Sequence, residues 1–391
     1  MTEIIIGGDV CPGGRNLEAF RRGDARALFN DLRDELAQAD LTVLNLECPL
    51  IARPTPIQKY GPVLGAPDTG VSTFKHAGVE LLNVANNHIL DHGPTGLLNT
   101  LDACARAGLA TVGAGRNRQE ASQIRTFHLN GLRVGVLAMA EHEFSVTEPD
   151  APGANPLDPI AFVRALRDWD ARRDYLIVLV HAGLSDFPYP SPWLLDTCRF
   201  LVEMGARAVV CQHSHCPGVY ERYRNGFIVY GQGNLLFDLN GRAGANWHRG
   251  FLVKLEIAAA DRHALKLVPY VQSETRPGAR KMAPEEAQKF LRALEQRSAG
   301  LTDPALLQQQ WRRLCRERKR SYYAGLRLGG ANRVLRYLDR KLGLSERLFT
   351  RKQLLVLENY LRCESHREVL EALMRERRLA RDPNARLNGT E

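Results

Sequence analysis

Two histidines one residue apart follow an apolar run in the segment VVCQHSHCPG, residues 209–218. On an extended segment, residues two apart point to the same side, so His213 and His215 could bind one or two metal ions together. Cys211 and Cys216 flank the pair, but a tetrahedral structural site would need a second ligand pair nearby, and none has that spacing. We predict that the histidines are ligands, that Cys211 packs at a strand end and that Cys216 lies in a loop.

Other metal-binding side chains fall at the carboxyl ends of predicted strands. The six candidates are Asp9, Glu47, Asn87, His181, His213 and His215. Open α/β sheets place ligands at this edge, so the six could converge on one pocket if their strands are neighbours in one sheet. Carboxylate, amide and imidazole donors together suit divalent transition metals. Singly, each also has a structural interpretation as a helix cap, a turn residue or a hydrogen-bonded core histidine.

The elements that must position these side chains alternate up to about Thr275. Short runs rich in Val, Ile and Leu predict buried strands, and segments with apolar residues three and four apart predict helices, a pattern typical of α/β proteins. The predicted strands are EIIIGGDV, LTVLNLE, LLNVANN, RVGVLAMA, YLIVLVHAG, ARAVVCQHSH, FIVYGQGN and FLVKLEI. The predicted helices include RALFNDLRDELAQAD, GLLNTLDACARAG and SPWLLDTCRFLVEMG.

Beyond Thr275 the apolar spacing is helical throughout. We therefore place a catalytic domain over residues 1–275 and a basic helical C-terminal region over residues 276–391. From Arg276 onward the chain has 27 Lys+Arg and 14 Asp+Glu, a net charge of +13. Residues 1–275 have 26 Lys+Arg and 30 Asp+Glu, a net charge of −4. The overall net charge of +9 therefore derives from the C-terminal region.

One segment of that region, GGANRVLRYLDRKLGL at residues 329–344, is amphipathic. Its apolar face is formed by Val334, Leu335, Leu338 and Leu342, while Arg333, Arg336, Arg340 and Lys341 lie largely off that face. Three interpretations are open. The face packs on the catalytic domain or another helix, lies on an anionic membrane surface, or binds a protein partner or nucleic acid. We favour packing, and nucleic acid is least favoured because aromatic side chains for base stacking are sparse.

The composition is that of an ordinary globular protein, with 44% hydrophobic residues and no apolar run of membrane-spanning length. The start, MTEIIIGGDV, carries Glu3 where a signal peptide has basic residues. Eight cysteines are scattered without the spacing of a disulfide scaffold, so free thiols are expected. We expect a cytoplasmic protein, with peripheral attachment to a membrane as an open alternative.

Several segments occur in the order typical of one protein family. They are GDV at residues 8–10, LNLECPL, ANNHILDHGPTGLLNTLDACARAG, VGAGRN, VLVHAG, QHSHCPG and IVYGQGNLLFD. In them the chain resembles the CapA/PgsA family, which is associated with poly-γ-glutamate capsule biosynthesis and is related to the calcineurin-like metallophosphoesterases. The resemblance extends from about Ile4 to Asp238 and does not include residues 276–391. It implies a metallophosphoesterase-like layered β-sandwich flanked by helices, followed here by the all-helical C-terminal extension.

The resemblance also implies a role for each metal-binding candidate. A first metal would be bound by Asp9 and His215, a second by Asn87, His181 and His213, and Glu47 would bridge the two. The cofactors would be one or two divalent ions, with Zn, Mn and Fe as candidates. His88 would be the acid that protonates the leaving group. Asp91 could orient the ring of His88 or cap the following helix, and we favour the cap.

The chain departs from the phosphoesterase pattern at the first metal. The related enzymes usually carry Asp-x-His where this chain has Asp9, Val10 and Cys11. As a thiolate, Cys11 could bind the first metal and favour Zn²⁺, or it could be a small apolar core residue.

Two metals about 3.5–4 Å apart that share a bridging hydroxide would lower the pKa of water and stabilise charge in the transition state. We therefore expect a metal-dependent hydrolase that cleaves a phosphoester or an amide in poly-γ-glutamate, capsule or related biosynthesis. Its substrate would be an anionic small molecule, peptide or polymer. Arg53 and Lys59, in the loop after Glu47, could bind that substrate or be solvated surface charges. The alternative function is a non-catalytic accessory protein of a polymer synthesis or export complex.

Overall fold

The computed structural model describes residues 1–59, 61–167, 169, 175–238, 246–328, 333–362, 370 and 374. In chain order, strands β1 to β18 are Thr2–Cys11, Leu41–Leu46, Leu50–Ile51, Ala66–Pro67, Leu81–Asn83, Ala110–Val112, Ala114–Gly115, Arg125–Leu129, Leu132–Ala140, Gly153–Ala154, Tyr175–His181, Ala206–Gln212, Tyr220–Tyr223, Gly226–Val229, Asn234–Phe237, Arg249–Ala259, Arg262–Gln272 and Ala279–Lys281. Helices α1 to α13 are Leu17–Arg21, Ala25–Phe29, Leu32–Gln38, Ser72–His76, Gly93–Arg106, Arg118–Ala121, Pro159–Arg167, Pro192–Glu203, Pro284–Ala299, Pro304–Leu328, Arg333–Leu342, Leu344–Leu348 and Arg351–Arg362.

The larger sheet runs in the order β18-β17-β16-β1-β2-β5-β6, and β15 also pairs with β1. Strands β1, β2, β5 and β6 are parallel, so their carboxyl ends lie at one edge. On the other side, β16 and β17 form a long antiparallel hairpin to which β18 adds a short edge strand. The register pairs Asp9 with Asn45, which brings the ends of β1 and β2 side by side.

A second sheet runs in the order β13-β14-β12-β11-β9-β8. Its four central strands are parallel. All seven residues of β11, YLIVLVH, are buried, as expected for a strand covered on both faces. The register pairs His181 with Gln212, so the carboxyl ends of β11 and β12 lie together.

The two sheets pack face to face, and the side chains of β11 alternate between two cores. Ile177 and Leu179 belong to the core shared with the larger sheet, whereas Val178 and Val180 pack with residues of α7 and α8 on the outer face. This period of two follows from the pleat of a strand. His181 continues the inner series, so the strand directs it toward the larger sheet. The predicted layered α/β sandwich flanked by helices is confirmed.

Buried amides link the two sheets near their carboxyl ends. Gln212 at the end of β12 donates from Nε2 to the Gly7 carbonyl oxygen at 3.0 Å, and its Oε1 accepts from Asn83 Nδ2 at 2.9 Å. Gln232, in the loop after β14, donates to the Ile6 carbonyl oxygen at 2.7 Å. Because Gly7, Asn83 and Ile6 belong to the larger sheet, these bonds fix one sheet against the other.

The predicted helix RALFNDLRDELAQAD is divided into α2 and α3. Asn30, between them, has a positive φ of 44° and a ψ of −123°. Positive φ values are uncommon in residues other than glycine, and asparagine adopts them more often than most. Here Asn30 Nδ2 donates to the carbonyl oxygens of Ala27 and Ala279, at 3.2 and 3.0 Å.

The chain forms two compact units, residues 1–311 and 312–391. Residues 279–281 form β18, so the helical region begins at Pro284 and not at residue 276. This strand, Ala-Arg-Lys, is too short and too polar to give a strand pattern in the sequence. The domain division at residues 275–276 stays a prediction. In the described part of the chain, no helix is both long and apolar enough to cross a membrane.

Replacing Gln212 with methionine, which is similar in size but lacks the amide, should lower the free energy of unfolding. We expect a loss of about 2–4 kcal/mol because Asn83 Nδ2 and the Gly7 oxygen lose their partner, at about 1–3 kcal/mol each. Urea denaturation followed by circular dichroism measures this loss. The control Gln308→Met, at an exposed position of α10, should stay within about 0.5 kcal/mol of the wild type. Equal stability of Gln212→Met and the wild type would contradict the proposed link between the sheets.

Candidate metal centre

The polar side chains predicted as ligands meet where the carboxyl ends of parallel strands from both sheets face each other. The larger sheet supplies Asp9, Glu47 and Asn87, and the second sheet supplies His181, His213 and His215. None of the six is more than 9% exposed. The expected convergence is therefore present, but two sheets produce it in place of the single sheet considered from the sequence.

A first group of ligand atoms comes from Asp9, Glu47 and His215, and these atoms lie within 4.8 Å of one another. His215 Nδ1 is 3.4 Å from Asp9 Oδ2, and His215 Nε2 is 3.6 Å from Glu47 Oε1. Carboxylates and imidazole together suit a divalent transition metal.

A second group comes from Glu47, His181 and His213. His181 Nε2 lies 3.5 Å from Glu47 Oε1 and 3.1 Å from His213 Nδ1. The same nitrogen is 3.1 Å from Asn87 Oδ1. Glu47 therefore belongs to both groups, as a ligand that bridges two metal ions would.

The environment of the Glu47 carboxylate fits a metal ligand better than a structural ion pair. The side chain is completely buried, yet neither Oε1 nor Oε2 has a hydrogen-bond partner among the described residues. A buried carboxylate without donors costs several kcal/mol unless a cation compensates its charge. One or two divalent cations beside Glu47 would supply that compensation, so the residues present fit the implied metal ions.

Burial and mutual charge set the protonation of the ligands. Burial and the Asp9 charge raise the pKa of Glu47 well above its usual value. Burial also opposes ionisation of Asp9, but its hydrogen bond to His215 and the charge of that ring bring the pKa of Asp9 below its usual value. Burial lowers the pKa of His181 to about 4 and that of His213 well below its usual value. These two rings are thus neutral near pH 7, the state that binds metals.

His215 behaves differently. Burial alone would lower its pKa, but the charges of Glu47 and Asp9 raise the pKa of His215 to about 9. A cation between these carboxylates would compete with that proton.

The loop that carries the last two histidines is not extended, contrary to the sequence interpretation. His213 and His215 have positive φ values of 95° and 53°, which cost about 1–3 kcal/mol each in residues other than glycine. The His213 N–H donates to Asp9 Oδ2 at 3.1 Å, and His215 Nδ1 lies 2.9 Å from Asn234 Oδ1. These contacts hold the strained turn and direct both rings to the site.

Asn45 positions two ligands and was not predicted from the sequence. Its Nδ2 donates to Asp9 Oδ1 at 2.7 Å and lies 3.3 Å from His181 Nδ1. The sequence signal that could have identified Asn45 is its position in LNLE, two residues before Glu47. Residues two apart in a strand have their side chains on the same face.

His88, the expected acid, is held by Asp91. His88 Nδ1 is 2.6 Å from Asp91 Oδ2, which also accepts from the Leu64 N–H at 2.6 Å. The favoured interpretation of Asp91 as a helix cap is wrong, because α5 begins at Gly93 after His92 and has no side-chain cap bond. Asp91 instead orients His88, the alternative that the sequence left open.

The two basic residues after Glu47 differ in environment. The Lys59 side chain is 2% exposed, and its ammonium donates to Asp91 Oδ1 and lies 3.2 Å from His88 Nδ1. Lys59 is therefore not a solvated surface charge. Arg53 is exposed, and its role in substrate binding stays a prediction.

The cysteines lie outside both ligand groups described above. Cys11 is buried beside the Cys48 thiol, which favours the core-residue interpretation of Cys11 over metal binding. Cys211 packs at its strand end with its sulfur 3.5 Å from that of Cys198. Cys216 is buried in the loop after His215.

Two acidic residues extend the site and were not predicted. Glu141 and Glu143 follow β9 in the segment AEHEF. Glu143 Oε2 accepts from Asn87 Nδ2 at 2.9 Å, and Glu141 Oε1 is 3.6 Å from His213 Nε2. Burial and the Glu143 charge raise the pKa of Glu141 to about 7. The sequence signal that could have identified Glu141 and Glu143 is the presence of two acidic residues directly after the predicted strand RVGVLAMA.

A cavity of about 260 Å³ opens over these groups. Its walls include His88, His213, His215, Glu143 and Trp247. A small group of a substrate could therefore reach the histidine ligands and His88 at the same time.

Replacing Glu47 with glutamine should abolish the response of thermal stability to metal. Mn²⁺ or Zn²⁺ should raise the Tm of the wild type, because a ligand at a hundred times its Kd stabilises the folded state by about 2.7 kcal/mol. In EDTA, the Tm of Glu47→Gln should equal or exceed that of the wild type, since a buried charge without donors has been removed. Differential scanning fluorimetry measures both effects.

The matched control is Glu256→Gln, which alters a surface ion pair with Lys266 and should keep the full metal response. If metal raised the Tm of Glu47→Gln as much as that of the wild type, Glu47 would not be a bridging ligand.

Three curated proteins are similar in sequence over part of their length. The capsule biosynthesis protein CapA of Bacillus anthracis is 28% identical over 247 residues, covering 61% of this chain and 60% of that protein. The PGA biosynthesis protein CapA of Bacillus subtilis (strain 168) is 25% identical, covering 59% and 62%. A probable polyglutamine synthesis accessory protein of Mycobacterium tuberculosis (strain H37Rv) is 30% identical, covering 46% and 50%. The matched region thus spans about three-fifths of the two CapA proteins.

Solved structures are less similar. A hypothetical protein from Thermus thermophilus has a TM-score of 0.43 at 17% identity, covering 70% of this chain and 100% of that one. A 5'-nucleotidase precursor from the same organism has a TM-score of 0.38 at 16% identity, covering 77% and 60%.

The family model described as bacterial capsule synthesis protein PGA_cap matches residues 3–239. This range exceeds half of the chain, agrees with the resemblance from Ile4 to Asp238 and contains all six proposed ligands. The resemblance to CapA proteins is thereby confirmed. The chain belongs to the bacterial capsule synthesis protein PGA_cap family.

Proposed function

We propose that this chain is a metal-dependent hydrolase whose catalytic centre is the pair of ligand groups joined by Glu47. The Glu47 carboxylate carries the proposal, because it is buried without a hydrogen-bond partner in the described part of the chain and lies between His181 and His215. The proposed ligands are Asp9, Glu47, Asn87, His181, His213 and His215. The candidate ions are Zn, Mn and Fe, which accept this mixture of nitrogen and oxygen donors.

Bound divalent cations would lower the pKa of water and neutralise charge on the scissile group. The protein would keep the ligands ready for those cations. Burial holds the pKa values of His181 and His213 low, so both rings offer a lone pair. Asn45 bonds to Asp9 and lies next to His181, so it fixes a ligand from each sheet.

His88 is the proposed proton donor to the leaving group. It lines the cavity, and its Nδ1 is directed to Asp91, which leaves Nε2 for proton transfer. Lys59 donates to the other carboxylate oxygen of Asp91, Oδ1, so we assign Lys59 to positioning Asp91 as well as to the cavity wall. The three residues would keep the ring of His88 in one orientation.

The bond cleaved would be a phosphoester or an amide, since both reactions develop negative charge on oxygen atoms that cations stabilise. The names of the two Bacillus relatives refer to capsule and PGA biosynthesis. We therefore propose an anionic substrate from a capsule or poly-γ-glutamate pathway. Lys59 at the cavity wall and Arg53 on the exposed part of the same loop would favour such a substrate.

A non-catalytic accessory protein of a polymer synthesis or export complex is the second candidate. The name of the Mycobacterium relative, which includes the words accessory protein, favours it. An accessory role would not require the contacts among His88, Asp91 and Lys59. Those contacts orient the His88 imidazole beside the proposed ligand Asn87, and we therefore prefer the hydrolase.

The wild-type protein loaded with Mn²⁺ or Zn²⁺ should hydrolyse p-nitrophenyl phosphate. His213→Ala should lower kcat/KM by about 100-fold or more, because the loss of a ligand weakens metal binding. Release of p-nitrophenol gives the rate, and metal content is measured on the same samples. His128→Ala, at an exposed position of β8, should keep the wild-type rate. A fully loaded wild type that hydrolyses neither this ester nor the amide bonds of poly-γ-glutamate would favour the accessory role.

His88→Asn should keep its metal but lose proton donation. For phenyl phosphate, a poor leaving group, kcat should fall by about 10²–10⁴-fold, the usual contribution of a general acid. For p-nitrophenyl phosphate the loss should be much smaller, since p-nitrophenolate leaves without protonation. Equal losses for the two esters would contradict the assignment of His88 as the acid.

A further inference from the structure

Helix α11 exposes its apolar face, and its one buried residue is the polar Asp339. Val334, Leu338 and Leu342, each four residues apart, are 65%, 46% and 55% exposed. Asp339, outside this apolar face, is only 5% exposed. Surface helices of globular proteins normally do the reverse and turn their apolar stripe to the core. Within the described part of residues 312–391, these side chains are not covered by another helix, contrary to one part of the favoured sequence expectation.

Polar contacts hold α11 in this orientation. Asp339 Oδ1 accepts from the Ser345 N–H at the start of α12 at 2.7 Å. Arg320 of α10 donates from Nη1 to the Lys341 carbonyl oxygen at 3.2 Å. The helix is therefore attached to its neighbours through polar groups, and its apolar face is exposed by the fold.

Basic residues border the exposed face. Arg333, Arg340 and Lys341 on the same helix are exposed. At 100° per residue, Lys341 lies about 20° from Val334 around the helix axis, at the edge of the apolar face. Residues 312–391 contain 21 Lys+Arg against 10 Asp+Glu, a net charge of +11. The surface thus combines exposed apolar side chains with a positive potential.

We propose that the α11 face, formed by Val334, Leu338 and Leu342, binds an anionic membrane surface. An amphipathic helix lies in the membrane interface when its apolar side chains enter the acyl boundary and its cationic side chains meet anionic headgroups. A second copy of this chain fits the α11 face less well, because it would bring two sets of the same basic residues together.

The test is co-sedimentation of the full-length chain with vesicles of phosphatidylglycerol and phosphatidylcholine in equal parts. The wild type should sediment with them, remain in the supernatant with phosphatidylcholine alone, and be partly released by salt. The triple variant Val334→Gln, Leu338→Gln, Leu342→Gln should bind at least about tenfold more weakly, since burial of apolar side chains drives insertion. All three positions are exposed, and circular dichroism checks that the variant folds.

The matched control is Ile160→Gln in α7, because Ile160 is 65% exposed, as Val334 is. This variant should bind the vesicles as the wild type does. Equal recovery of the wild type in the supernatant with both vesicles would overturn the proposal. So would sedimentation of the triple variant at the wild-type level. A wild-type dimer that the triple variant abolishes, without vesicle binding, would assign the α11 face to a second copy.

Discussion

The structure depends on a buried negative charge that the polypeptide does not neutralise by hydrogen bonding. Glu47 directs both carboxylate oxygens into a completely buried space where the described residues donate no hydrogen bond to them. Nearby imidazole nitrogens of His181 and His215 lie at 3.5 and 3.6 Å, too far for strong hydrogen bonds. Burial and the Asp9 charge raise the pKa of Glu47, so the carboxyl group either takes up a proton or is stabilised as an anion by a nearby cation. The surrounding ligands have the chemistry to hold that cation from two sides.

The sandwich makes this arrangement possible. Parallel strands in each sheet end at the same edge, so carboxylates from the larger sheet face imidazoles from the second. The amide of Gln212 fixes the separation of the two edges through Gly7 and Asn83. The turn at His213 and His215 stores backbone strain, as functional sites often do.

The sequence indicated the layered fold and the side chains that meet at the candidate site, and metal binding by those side chains stays a prediction. Strand-end position identified Asp9, Glu47 and His181, because a buried strand is visible as an apolar run and its last polar residue is conspicuous. The resemblance implied the layered sandwich, but apolar runs do not encode which strands share a sheet, so the division of the six candidate ligands between two sheets was not predicted. The resemblance implied that His88 is the acid. The interpretation of Asp91 as a helix cap was wrong, because the Asp91 carboxylate bonds to His88 and to Lys59. Lys59 lies 32 residues away in the chain, so a local sequence pattern does not reveal that contact.

Other features depended on long-range contacts that no local pattern reveals. Glu143 reaches Asn87 across 56 residues, and the burial of Lys59 depends on Asp91. For α11 the periodicity correctly gave an amphipathic helix, but not which side would be buried. The buried residue is the polar Asp339, which accepts a hydrogen bond from the Ser345 N–H.

Anomalous diffraction from crystals grown with Mn²⁺ or Zn²⁺, recorded at the absorption edge of the metal, tests the central claim most directly. We expect one or two anomalous peaks within bonding distance of the Glu47 carboxylate, with ligand atoms from Asp9 and from the imidazoles that follow β11 and β12. A metal-saturated crystal without a peak beside Glu47, or with a peak bound only by other residues, would contradict it.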